Sequence, residues 1–350
     1  MNIRMSQMTK HTAGLALLVC LAASMGFAQI DPGGRSMMVR NGGQAGEGAN
    51  RPNGRLDLTD PFGLLHRQHL ALPNSGTEVP DPVKLGLARK KTYTFSTADY
   101  PGGDFSVLTD DNGSTAVGYF AFSVKNLNFT AFTLTGNDYE ILAIPGSAGS
   151  QAIAINTSGQ IAGTFSDAAG VNHGFLDTAG TITTINFPGS SSTNVFDVND
   201  GGQMVGLYGD SADNAHGFLD NGGVFTPINY PGAVGTVATG INTAGAIVGI
   251  WVDAGNNVHS FLFSSDVFTS LDFPLSSGTQ ATGINDSGEI SGTYTDAANA
   301  GHGFIYSNGA WSSVDVAGAT DTELFRIKNN GNVTGDYTDD TREDHGIKGH

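Results

Sequence analysis

Gly283-Ile284-Asn285-Asp286-Ser287-Gly288-Glu289-Ile290-Ser291-Gly292-Thr293-Tyr294-Thr295-Asp296, continued by His302-Gly303-Phe304, decides the fold because it recurs. His302 has counterparts at His173, His216, His259 and His345, each 43 residues from the next. Tyr294 maps onto Phe165, Trp251, Tyr208 and Tyr337, and Asp296 onto Asp167, Asp210, Asp253 and Asp339 at the same step. A fixed period of this length marks a repeat architecture before any residue is given a task.

Each repeat reads as four short strands, at residues 280–284, 289–296, 302–307 and 311–316 in this copy. Asn285 opens and Gly288 closes the first turn, as a type I turn prefers, and Asn156, Asn199 and Asn242 open its counterparts. In the second strand Ile290, Gly292, Tyr294 and Asp296 fall on one face and Ser291, Thr293 and Thr295 on the other, so one core face is expected. The recurring glycine (Gly163, Gly206, Gly249, Gly292, Gly335) is expected where a neighbouring backbone or ring comes close. Repeats end on Pro-Gly, which suits a type II turn; Leu275 replaces that glycine in one copy, so a different turn is expected there.

Four strands in about 43 residues match one blade of a β-propeller. Boundaries fall at Pro145, Pro188, Pro231, Pro274 and Ala317, with an earlier diverged copy from Pro101. The last copy ends after its third strand, and residues 94–101 align with a fourth strand that has no copy of its own. Joining the two ends removes exposed sheet edges. The expected fold is therefore all-β: a six-bladed β-propeller over residues 91–350, closed by the N-terminal strand pairing into the last blade.

Outside this domain the chain changes character. Residues 1–28 have a basic start, a short apolar run and small residues at a cut, which is a signal-peptide pattern. The single cysteine, Cys20, lies within it, so disulfides are not expected in the mature chain. Residues 29–90 are rich in Gly, Asn, Arg and Pro and are expected to form a disordered or loosely ordered linker. A secreted, extracellular or periplasmic protein follows, with no transmembrane anchor after signal cleavage and no nucleic-acid partner. The second of these exclusions rests on 26 acidic against 5 basic residues from Pro101 onward, a balance that repels phosphate.

Candidate chemistry centres on the pairs Asp167 and His173, Asp210 and His216, Asp253 and His259, Asp296 and His302, and Asp339 and His345. Each flanks a five-residue loop on the aromatic face, where cross-strand neighbours can hydrogen-bond. An active site is needed once per chain, so a feature of every clear repeat is expected to serve the blade. No catalytic, cofactor-binding or metal site is expected. Calcium is the one metal the oxygen-rich loops at Asp210 and Asp253 admit, without a full ligand signature. Gly-x-Ser-x-Gly elbows and phosphate loops are missing, which leaves nucleophilic catalysis without an anchor. Trp311 falls outside the Tyr294 series and is the ring expected to be exposed.

His173-Gly174-Phe175, His216-Gly217-Phe218, His302-Gly303-Phe304 and the variant His259-Ser260-Phe261 resemble the signature of the bacterial extracellular HAF-repeat family. The last copy has Ile347 in place of the phenylalanine, and the first reads Thr130-Ala131-Phe132. That resemblance implies export and a propeller-like fold, and brings no site residues with it. The function expected is a monomeric secreted or cell-surface binding scaffold for a polysaccharide, cell-wall polymer or protein, engaged by the loops after Pro-Gly and between Asp and His. The alternative is an extracellular hydrolase or lyase at the channel, marked by acidic residues out of register with the repeat.

Overall fold

The computed structural model describes residues 93–103, 105–122, 128–341 and 344–350, together with a backbone pairing of Gln29–Ile30 with Ser36–Met37. The leader, nearly all of the linker, and His66 and His69 lie outside the described residues.

Six four-stranded antiparallel sheets form the ring. The first strands are Phe105–Asp111, Gly149–Ile155, Ser192–Val198, Gly235–Ile241, Gly278–Ile284 and Asp321–Ile327. They are almost wholly buried and face the axis, whereas fourth strands such as Thr181–Ile185 and Val224–Ile228 are mostly exposed at the rim and end on a buried isoleucine. The sixth blade takes its fourth strand from Phe95–Thr97, which pairs Ile347 with Thr97, Lys348 with Ser96 and Gly349 with Phe95. Reciprocal bonds between Thr94 and His350 extend the seam, at 3.3 and 3.2 Å. Ring closure by the orphan strand is thus observed.

The hydrophobic core lies between blades. Phe218 of the third blade packs with Ala154 and Ala162 of the second, and Phe261 of the fourth with Val205 and Ile228 of the third. Phe304 of the fifth packs with Val248 and Leu271 of the fourth. The seam follows the same rule, since Phe120 and Phe132 of the first blade meet Ala98 and Tyr100 of the closing segment. This arrangement corrects the single core face expected for the second strand. Ser291, Thr293 and Thr295 are as buried as Ile290, because a middle strand is covered by a neighbouring blade on each face.

The recurring glycine fits its expected role. A Cβ on Gly206 would collide with the Asn194 carbonyl and stand 3.0 Å from the Phe218 ring; one on Gly249 would strike the Val237 carbonyl and stand 2.7 Å from Phe261. Leu275 does not produce a different turn. It adopts φ +65°, beside +79° at Gly189 and +82° at Gly232, and Ser276 N donates to Phe273 O at 3.2 Å as Ser190 N does to Phe187 O at 3.1 Å. The flanking blades dictate the connection, and leucine is held in the left-handed region to make it.

A bulge interrupts every first strand, between Leu108 and Asp110, Ala152 and Ala154, Val195 and Asp197, Ala238 and Gly240, Ala281 and Gly283, and Leu324 and Arg326. Bulges re-aim side chains. The residue just past the bulge is Asp110, Ala154, Asp197, Gly240, Gly283 or Arg326, and of these Asp110, Asp197 and Arg326 line the end of the axis where the first turns gather.

Candidate functional site

At the outer end of five of the six blades the expected Asp and His come together. His Nε2 lies 3.4 Å from the carboxylate in the Asp167–His173 pair, 3.3 Å in Asp210–His216, 3.6 Å in Asp253–His259, 3.4 Å in Asp296–His302 and 3.5 Å in Asp339–His345. The opposite ring nitrogen, Nδ1, faces Asn186 at 2.8 Å, Asn229 at 3.0 Å, Asp272 at 3.2 Å and Asp315 at 2.8 Å in the first four of these pairs. Each imidazole also lies against its repeat aromatic. Tyr208 sits between Phe187, stacked at 3.6 Å, and His216 at 5.1 Å; Trp251 sits between Tyr230 at 4.1 Å and His259 at 4.4 Å. Phe187 and Tyr230 belong to the connections from the preceding blades, so the stack staples one blade to the next.

The carboxylates of these pairs turn into their own loops. Asp210 Oδ1 accepts from Ala212 N and Asn214 N at 2.8 Å each, and Oδ2 from Asn214 Nδ2 at 2.8 Å. Hydrogen bonds from Asn257, first through its side chain, hold Asp253 down at about 2. These oxygens, the ones proposed for calcium, are spent on loop N–H groups. Among the described residues no three His, Cys, Asp or Glu side chains are grouped to hold a metal.

Trp311 is not exposed. It is 8 % accessible and packs edge-on against Phe304 at 5.0 Å and Phe273 at 5.3 Å. Phe268 and Phe225 precede it by one and two periods, so it belongs to a second aromatic series.

The loops after Pro-Gly and the Asp-to-His loops do share one end, joined for example by Ser191 Oγ donating to Asp213 Oδ1 at 2.9 Å. A cup of about 290 Å3 opens at the other end, lined by the first-strand ends and first turns of all six blades. A ring of turn asparagines shapes its wall. Asn112 Nδ2 donates to Asn156 O (3.2 Å), Asn156 to Asn199 O (3.1 Å), Asn199 to Asn242 O (2.9 Å), Asn242 to Asn285 O (3.2 Å) and Asn285 to Lys328 O (3.1 Å). The sixth step is ionic: Lys328 Nζ meets Asp110 Oδ1.

The floor is where the repeat breaks. Arg326, 4 % exposed, donates through Nη1 to Thr282 O at 2.7 Å and Phe325 O at 2.9 Å, and through Nη2 to Phe196 O in the third blade. The third and sixth blades stand three places apart in a ring of six, so this side chain spans the axis. Asp197 Oδ2 accepts from Ile241 N and Oδ1 from Val198 N, both at 2.9 Å. Asp110 accepts from Ile155 N at 2.9 Å and Asp111 N at 2.8 Å. Burial pushes the Asp197 carboxyl up, opposed by Arg326 and reinforced by Asp110. Five carboxylates (Asp110, Asp111, Asp197, Asp200, Asp286) line the cup against two cations, Arg326 and Lys328. Asp110 and Asp197 are singular among these, each standing just past its blade's bulge, which repeat spacing did not expose. Comparing the six blades at the post-bulge position would have found them, since Ala or Gly occupies the other three.

No protein-family model and no curated protein matches the sequence. Solved structures are similar to this chain. AofleA from Arthrobotrys oligospora is 11% identical over 75% of this chain and 89% of its own, with a TM-score of 0.47. A six-bladed fucose-recognising lectin from Aleuria aurantia is 13% identical over 69% and 90%, with a TM-score of 0.45. The propeller domain of the Trilobed protease from Pyrococcus furiosus is 10% identical over 70% and 95%, with a TM-score of 0.45. This chain is a six-bladed, all-β propeller of four-stranded blades.

Proposed function

We propose that this chain is an exported, monomeric binding scaffold of the HAF-repeat kind, which engages a polysaccharide, cell-wall polymer or protein at the cup on the first-turn end. The cup carries this reading, because singular charged residues, Asp110, Asp197 and Arg326, replace the repeat there. A pre-formed concave depression with a few convergent polar groups is the usual form of a small-ligand site. The Asp–His pairs are read as blade supports: they recur with the blade and their polar atoms are engaged within it.

A second reading, a hydrolase or lyase at the channel, draws on the raised Asp197 carboxyl beside Asp110. It is the weaker one, because both carboxylates already accept two backbone N–H groups and face a cation.

The test is retention on an array of glycans and cell-wall polymers, with calcium or a chelator. The mature chain is compared with Thr243→Trp, which blocks the cup's rim, and with Ala212→Trp on the opposite end. Retention should survive chelation and Ala212→Trp and be lost in Thr243→Trp. Loss in Ala212→Trp alone would return the site to the Asp-to-His loops. Steady release of soluble fragments from a bound polymer would favour the hydrolase.

A further inference from the structure

Resting on the scaffold reading above, we infer that the cup receives the terminal residue of a neutral, polyhydroxylated chain, a sugar end, and that Arg326 Nε and Asp197 together hold one of its hydroxyls.

The guanidinium sets the first requirement. Its two terminal nitrogens donate to carbonyls, while Nε is buried without a hydrogen-bond partner. Asp197 Oδ1 stands 3.7 Å from it, beyond hydrogen-bond length. A buried N–H draws in an acceptor. An ammonium ligand has no lone pair to offer, so the group that answers Nε is an oxygen.

Charge sets the second requirement. The excess of carboxylates in the lining opposes a ligand carboxylate, sulfate or phosphate. Both cations are already engaged, Lys328 by Asp110 and Arg326 by three carbonyls. A neutral hydroxyl meets both demands, because it accepts from Nε and donates its own proton to Asp197. Oδ1 and Oδ2 of Asp197 each accept one backbone N–H, and a carboxylate oxygen has two lone-pair sites.

Volume sets the third. About 290 Å3 lies at the low end for small-ligand pockets, roughly 300 Å3 upward. Arg326 closes the axis below, so a polymer enters by its end, and the exposed Thr157, Thr243 and Asn330 stand where the next residue would leave.

The experiment is titration calorimetry of the mature chain with the methyl glycosides of glucose, galactose and mannose, each beside its uronic acid. Wild type, Arg326→Lys and Thr243→Trp are compared, with folding checked by thermal melting. At least one neutral glycoside should bind, and its uronic acid should bind about tenfold more weakly or not at all. Arg326→Lys, which keeps the charge and removes Nε–H, should weaken binding by about tenfold or more. Thr243→Trp alters only an exposed rim residue and should abolish binding even if Arg326→Lys fails to fold. Equal or tighter binding of a uronic acid, undiminished binding in Thr243→Trp, or no glycoside binding would overturn the inference. If polymers are still retained on the array in that event, the scaffold reading stands without it; a blank array removes both.

Discussion

Leu275 shows how far the ring overrides a residue's own preference. It sits 64 % exposed at φ +65°, a conformation its five counterparts leave to glycine. A left-handed residue with a Cβ costs about 1–2 kcal/mol, part of which glycine returns through its larger unfolded-state entropy. Leu275→Gly should therefore raise stability by about 0.5–1 kcal/mol, read as a higher denaturation midpoint. Leu275→Ala, which keeps the strain, should leave it unchanged; equal gains in both would attribute the effect to lost surface hydrophobicity.

His302 gives a pH signature at the same scale. Its hydrogen bond to Asp315 is the largest influence pushing its pKa above the ordinary value, with Asp296 adding to it. The folded state then holds the proton more tightly than the unfolded chain. The resulting stabilisation is complete below roughly pH 6.5, the unfolded value, and is lost as pH rises through the folded value. Asp253 has the opposite sign: its contribution is present above roughly pH 3.9 and is lost as pH falls toward about 2. An NMR titration should place the His302 midpoint above 6.5, and Asp315→Asn should lower it. A midpoint that ignores Asp315→Asn would assign the shift elsewhere.

Among elements, the closing strand has the largest consequence. Deleting residues 91–100 removes Phe95–Thr97 from the sixth blade and Ala98 and Tyr100 from the first-blade core, exposing a sheet edge and an apolar slot together. That deletion should lower the melting temperature sharply, and deleting residues 29–55 should leave it nearly unchanged. Equal melting temperatures would show that the seam is not what holds the ring shut. Strand number, closure and the glycine contacts were legible because each is written at a 43-residue step. The bulges were not. A bulge shifts alternation by one residue, and nothing in Ala281-Thr282-Gly283 or Leu324-Phe325-Arg326 distinguishes it from an ordinary strand. Trp311 was misplaced for a related reason, since its own series, Phe225 and Phe268, lies on a different strand from the one that carries the pattern.

At the scale of the molecule, two kinds of position separate. Those that repeat build the frame: the Asp–His pairs tie neighbouring strands within a blade, while the stacked aromatics and the asparagine ring bind blade to blade. Asp110, Asp197 and Arg326, replaced by Ala or Gly in the other blades, gather at one mouth. Arg326, Lys328 and Lys348 come from the last blade, while Asp110 and Asp111 come from the first. Lys328–Asp110 and Lys348–Asp111, the latter at 3.0 Å, therefore fasten the seam as they charge the cup. Spacing hid this because the step from Asp110 to Ala154 is one residue longer than the repeat, which takes Asp110 out of register with Asp197 and Arg326.

The most direct test of the account is amide hydrogen exchange of the mature chain, free and saturated with the polymer most strongly retained on the array. Protection should appear in the first turns, residues 112–114, 156–159, 199–202, 242–245, 285–288 and 328–331, and leave the Asp-to-His loops unchanged. Protection confined to residues 167–172, 210–214, 253–257 and 296–300 would place binding on the opposite end and contradict it.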